Sequence, residues 1–210
     1  MNIEKLKNTQ AYFFELYPKG FEDIGLQPVM KRHNTAKVEA HVRTLFAPDQ
    51  FANPELICEN FTKIVSRSSL VSLFEKPKVR DMIKGMGHEQ KDMLSIGLYE
   101  LIHGDKRAGF ESMVDVLLIH RLAKWSIITL IPYYYARNKN FFIKPTTTKN
   151  IIKFFELEGL VYKPRPSYDF YVAYTKTLKK MQALVHKSLS FENAAFTGFL
   201  MMAMEEEALP

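Results

Sequence analysis

Apolar residues recur along most of this chain at intervals of three and four, the spacing that lines one face of an α-helix. Ile3, Leu6, Ala11, Phe13, Phe14 and Tyr17 mark a first helix, closed by Pro18-Lys19-Gly20. Val38, Ala40, His41, Val42 and Leu45 place a second over 34–46. Asn53-Pro54 is a start signal, an N-cap followed by proline at the first helical position. It leads into the apolar stripe Leu56, Ile57, Phe61, Ile64 and Val65. The run 66–74 either continues that helix or breaks at Ser68-Ser69. Pro77 opens a short helix that stops near Gly85 and Gly87. Helices over 89–102 and 106–118 follow, divided by Gly104-Asp105, and two long helices over 168–186 and 191–204 close the chain.

Three stretches depart from this pattern. The apolar run 125–135 has no periodicity to assign it. Its helical neighbours favour helix, with Pro132 bending or ending it. Phe141-Phe142-Ile143 and Leu160-Val161-Tyr162 are the two strand candidates, flanking one helix and placed to pair as a small ribbon. The expected fold class is therefore all-α: a compact multi-helix bundle of about nine or ten helices, with at most a small two-stranded ribbon. Apolar density falls at Ala136-Arg137-Asn138-Lys139-Asn140, which separates a helical core region, 1–136, from a basic helical subdomain, 137–210. Linkers between true domains are longer or richer in Pro and Gly, so one continuous domain is expected.

Composition adds bounds. With 210 residues, 47% of them hydrophobic and 13% aromatic, the chain can bury a substantial core. Its single cysteine, Cys58, excludes an internal disulfide and a cysteine-based zinc site, which suits a reducing compartment. The first residues are amphipathic and charged, without the apolar centre of a signal peptide. The longest weakly charged run, 125–136, is too short to span a bilayer. These features predict a soluble cytoplasmic protein with no membrane association.

Charge sharpens the picture because it is uneven. Of the net +6, residues 137–187 hold eleven Lys/Arg against three Asp/Glu, a local +8. Residues 188–210 hold four Glu and no Lys or Arg. Localised positive charge attracts phosphate or acidic surfaces when the cations share a face; dispersed, it only solvates the protein.

Within this basic stretch, Thr146, Thr147 and Thr148 precede the stripe Ile151, Ile152, Phe154, Phe155 and Leu157. One of these threonines is expected to cap that helix. The helix start, flanked by Lys144 and Lys149, is a candidate anion site. Lys153, Lys163 and Arg165 extend the candidate phosphate-binding set. Tyr162, Tyr168 and Tyr171, with Tyr174 beyond them, form either an aromatic surface on which bases or sugars stack or a stripe of core.

Residues 145–166, PTTTKNIIKFFELEGLVYKPRP, resemble the recognition helix and wing of a winged helix-turn-helix. The exit Glu158-Gly159-Leu160-Val161-Tyr162 carries the likeness, whereas Phe141-Phe142-Ile143-Lys144-Pro145 is extended where a positioning helix should end. The C-terminal part of the chain also resembles a family of uncharacterised prokaryotic proteins. The residues concerned are Lys124-Trp125, Thr129, Pro132-Tyr133, Ile143-Lys144-Pro145-Thr146, Tyr162, Pro164, Pro166-Ser167-Tyr168 and Tyr171. That resemblance implies a shared helical module and transfers no catalytic residue.

Enzyme signals are incomplete. Glu100 and His103 form one Glu-x-x-His, and a dinuclear carboxylate site needs two. Histidines at 33, 41, 88, 120 and 186 are scattered. No Gly-rich phosphate loop or Gly-x-Ser-x-Gly elbow is present. Asp105, Glu111 and Asp115 with His120 and Arg121 either line a polar cleft or belong to a solvated helix face. No catalytic residue, metal or cofactor is assigned. The leading expectation is a non-enzymatic nucleic-acid-binding or accessory protein using the basic segment. The alternative is a protein-interaction module or homo-oligomer acting through the Met-rich C-terminal helix, with Phe196, Phe199, Leu200, Met201, Met202 and Met204. A third class, an enzyme on a phosphorylated small molecule, requires a pocket joining Thr146–Thr148 to a nearby acid or histidine.

Overall fold

Asn2 and Asn53 start two helices by the same local device: each side-chain oxygen accepts a backbone N–H of the first turn, from Lys5 and Leu56 respectively. The computed structural model that contains them describes residues 1–28 and 36–207. His33 and the predicted start of the second helix at Asn34 lie outside the described residues.

The helices are α1 (Ile3–Leu16), α2 (Ala36–Leu45), α3 (Pro54–Arg67), α4 (Glu75–Gly85), α5 (His88–His103) and α6 (Lys106–Ile119). They continue with α7 (Trp125–Ile128), α8 (Leu130–Tyr135), α9 (Pro145–Phe154), α10 (Tyr168–Gln182), α11 (Lys187–Ser190) and α12 (Asn193–Glu207). Short 3-10 turns occupy Gly20–Glu22, Ile24–Leu26 and Pro48–Ala52. The fold is all-α, as the spacing predicted.

The tightest helix pair is α5 with α6, a hairpin turned at Gly104-Asp105. Two side chains shape that turn. Glu100 Oε2 accepts the N–H of Asp105 at 2.7 Å, and Asp105 Oδ1 in turn accepts from Arg107 and Ala108. Around the hairpin, α3 packs on α4 and α5, α2 on α8, and α10 on α6. The chain's first and last helices also meet, α1 on α12, where Phe13 and Phe199 make an edge-to-face pair at 5.3 Å. A second aromatic cluster joins Phe110, Trp125, Phe170 and Tyr171. Trp125 is almost fully buried, and its indole N–H donates to the Lys163 carbonyl at 2.8 Å.

Several boundaries differ from the sequence pattern. The run 66–74 breaks: α3 ends at Arg67, and Ser68 meets Tyr134 Oη at 3.0 Å while its hydroxyl accepts from Leu70. The run 125–135 is helical but interrupted at Thr129, between α7 and α8. Pro132 falls in the first turn of α8 and lacks the N–H that a continuous helix would donate to the Ile128 carbonyl, the last residue of α7, so the interruption lies where this proline breaks the ladder. The helix expected over 168–186 stops at Gln182.

The two-stranded ribbon does not form: among the described residues there is no strand. The segments 141–144 and 160–163 are non-helical, but side chains take backbone partners that a ribbon would have supplied. Ile143 N–H donates to Thr129 Oγ1 at 3.1 Å, and the Lys163 carbonyl accepts from Trp125. With no hairpin after α9, the wing of the winged-helix likeness is missing.

Candidate functional site

The start of α9 differs from the expected threonine cap. Pro145 holds its first position, Lys144 is the N-cap residue, and no side chain caps the helix. The threonines lie one step inside, so helical geometry turns two of them inward. Thr147 Oγ1 contacts Met201 Sδ at 3.4 Å, Thr148 lies beside the Tyr174 hydroxyl, and both threonines are buried. Of the three, only Thr146 is exposed. The threonine triplet therefore serves as packing against α10 and α12, not as a phosphate cradle.

The opposite face of α9 has a different character. Ile151 and Phe155 are buried with Thr147 and Thr148, leaving Thr146, Lys149, Asn150 and Lys153 exposed on the other side. No acidic residue occurs within α9. Lys144 is exposed just before it, and the Lys149 ammonium lies 5.9 Å from the Tyr162 ring centre. Lys163, the residue after Tyr162, is exposed as well. On the neighbouring α1, Lys5 Nζ stands 4.3 Å over the Phe154 ring. The acids that follow α9 are Glu156, which accepts from Asn2 Nδ2, and the exposed Glu158.

Other cations of the basic stretch are committed elsewhere. Arg137, with its side chain only 20% exposed, sits 2.9 Å from Glu39 and 3.4 Å from Glu192. Glu39 also meets Arg43 at 2.7 Å, and Arg43 Nε donates to the Tyr135 carbonyl. Lys179 donates to Asn193 Oδ1 at 2.7 Å and to the Asn138 carbonyl; partial burial lowers its pKa below the usual lysine range. Asn193 Nδ2 closes the set by donating to the Asn140 carbonyl at 2.8 Å. The segment 136–140 is thus a hydrogen-bonded junction between α2, α8, α10 and α12. Arg165 points toward Asp115 at 4.0 Å, a loose contact between two exposed side chains.

The tyrosines are mainly core. Tyr171 stacks on Phe110 at 5.7 Å, Tyr174 is 2% exposed, and burial raises both phenol pKa values. Tyr168 is half-buried between Phe110 and the Arg107 guanidinium, which also binds Asp169 at 2.5 Å. Tyr162 is half-buried on Trp125 and Phe170, and it alone of the three candidates adjoins the cationic face.

No family model, curated protein or solved structure matches this chain.

The other candidate residues have partners of their own. Glu100 and His103 do not converge on a metal: Glu100 anchors the α5–α6 turn, and His103 Nε2 lies 2.9 Å from the Phe46 carbonyl. Among the described residues there is no cluster of three or more metal-ligating side chains. Asp105 caps α6, Glu111 pairs with Arg107, and His120 and Arg121 line a separate shallow cleft with Lys78 and Asp81. The five residues do not form one site. The Met-rich helix α12 is core: Phe196, Phe199 and Leu200 are fully buried, and only Met201 and Met202 of its methionines are partly exposed. No helix among the described residues is long and apolar enough to cross a membrane.

Two features escaped the sequence pattern. The Arg107–Asp169 clamp joins residues far apart in the chain. A cavity flanked by Lys106 and Lys139 draws its walls from several helices. No local signal marks either.

Proposed function

We propose that the chain is a non-enzymatic nucleic-acid-binding protein whose contact surface is the outward face of α9. The observation that carries this reading is the acid-free exposed side of that helix, with Lys149 and Lys153 one turn apart between Lys144 and Lys163. Ammonium groups on one face neutralise neighbouring phosphates and release their counterions, giving affinity without base-specific readout. Tyr162 supplies a partly exposed ring beside Lys149 for an unpaired base to stack on. The set is smaller than the charge count alone suggests, because Arg137 and Lys179 are drawn into internal contacts.

The test is fluorescence anisotropy with short duplex and single-stranded oligonucleotides across a salt series. The wild type is expected to bind at low salt, with affinity falling as salt rises. Converting Lys149 and Lys153 to Gln should reduce the slope of log K against log salt by about 2 on duplex, close to one unit per phosphate contact. Absence of binding at low salt, or a slope unchanged in the double variant, overturns the proposal.

A further inference from the structure

Between α10 and the packed helices α5 to α8 lies a cavity of about 160 Å³. Leu101, Phe110, Ile128, Pro132 and Val172 form its apolar wall. Lys106, Lys139, Asn140 and Thr175 form much of its polar side, and no Asp or Glu lines it. None of the lining residues belongs to the α9 face, so the cavity is independent of the nucleic-acid reading.

Three observations converge on the kind of ligand. The first is charge: the exposed residues Lys106 and Lys139 are the charged ones among those that line it. The nearby carboxylates are engaged elsewhere, Asp105 by the α6 N–H groups, Glu100 by Asp105 N–H and Asp169 by Arg107. The second is size, since a cavity of about 150 Å³ lined by apolar side chains accepts a benzene-sized guest. The third is the Tyr171 hydroxyl, whose two candidate acceptors, Asn140 Oδ1 and the Phe141 carbonyl, both lie at 3.5 Å. That is the outer limit of a hydrogen bond, so both contacts are weak, and Tyr171 is among the residues that line the cavity.

We infer that this cavity is a binding site for a small organic monocarboxylate with a compact apolar body, aromatic or branched aliphatic. The body sits against Leu101, Phe110, Ile128 and Val172, while the carboxylate faces Lys106 and Lys139 and accepts from Tyr171. A buried carboxylate is costly unless charge and hydrogen bonds compensate it, and this wall supplies both. An ammonium ligand of the same shape would meet two like charges.

Benzoate is the probe, with benzamide and benzylammonium as neutral and cationic counterparts. Binding is read by thermal shift and by the fluorescence of the single tryptophan, Trp125, which packs on the cavity residue Phe110. Benzoate at millimolar concentration is expected to raise the Tm and change the Trp125 signal, while the two counterparts do neither. Replacing Lys106 and Lys139 by Gln should weaken benzoate about tenfold or more. Val172→Phe, from a partly exposed position on the rim, should fill the cavity and abolish binding. Tyr171→Phe, which keeps the ring, provides a second variant and should weaken binding. The inference is overturned if benzoate does not bind, if benzamide or benzylammonium binds equally well, or if none of these substitutions changes the affinity.

Discussion

The hydroxyl of Thr129 joins the α7–α8 break to the extended segment before α9, accepting the N–H of Ile143 at 3.1 Å while donating to the Trp125 carbonyl at 2.7 Å. Thr129 is 2% exposed and Ile143 is fully buried, so no solvent can replace this contact. Thr129→Val keeps the shape and removes the acceptor, leaving a buried backbone N–H without a partner. The expected cost is about 1–3 kcal/mol, seen as a lower urea midpoint at unchanged slope. Thr129→Ser, which retains the hydroxyl, should recover most of that loss. A Val variant as stable as the wild type, with Ser the less stable of the two, would show that the methyl group, not the hydrogen bond, matters here.

Gly109 sets how closely α5 and α6 approach. A methyl group at this position would collide with the backbone N of Leu101 and come within 2.6 Å of the Glu100 carbonyl carbon. Backbone atoms of a packed helix cannot move aside as a flexible side chain does. Gly109→Ala should therefore cost about 3 kcal/mol or more, at the upper end for overpacking, despite alanine's better helix propensity. Gly97, across the same interface, faces mainly the Ser112 side chain at 2.9 Å. Gly97→Ala should cost less, and chemical denaturation of the two variants side by side checks the order.

What could be read from the sequence divides by the range of the interaction involved. Asn53 with Pro54, and Asp105 after Gly104, were legible because a cap acts on the N–H groups two or three residues ahead. The hydrogen bond made at the Thr129 break was not, since its partner Ile143 lies fourteen residues later. Phe141–Ile143 and Leu160–Tyr162 read as strands, and that they stay unpaired depends on Thr129 and Trp125, which take the backbone groups of Ile143 and Lys163. The threonine triplet shows the same limit within the candidate site. Composition placed Thr147 and Thr148 at a helix start, but Met201 and Tyr174 decide that they face inward. Lys149 and Lys153 were identifiable as one turn apart, whereas the loss of Arg137 and Lys179 to internal contacts depends on distant Glu39, Glu192 and Asn193.

Alkaline pH should unfold this protein through its buried acids of high pKa. Burial pushes the Cys58 thiol up from 9.0 to about 12 and the Tyr133 phenol up from 10.0 to about 12. It raises Tyr134, Tyr171 and Tyr174 as well. For each group the folded state holds its proton at a pH where the unfolded chain has released it. The stability these groups confer is therefore complete below the unfolded values and declines as pH rises past 9 and then past 10 toward the folded values. Lys179 acts in the opposite sense, because its folded pKa is lowered, but it is one partly exposed group against several buried ones. Urea unfolding measured from neutral to strongly alkaline pH should show stability falling steeply above pH 10, with the phenolate absorbance of the buried rings appearing together with loss of helical signal. Tyr174→Phe removes one contributor, so the fall should flatten by up to about 1.4 kcal/mol per pH unit. Phenolate absorbance accounting for all ten tyrosines near pH 10 while the helical signal persists would mean that the buried rings ionise in the folded protein and that burial does not hold them neutral.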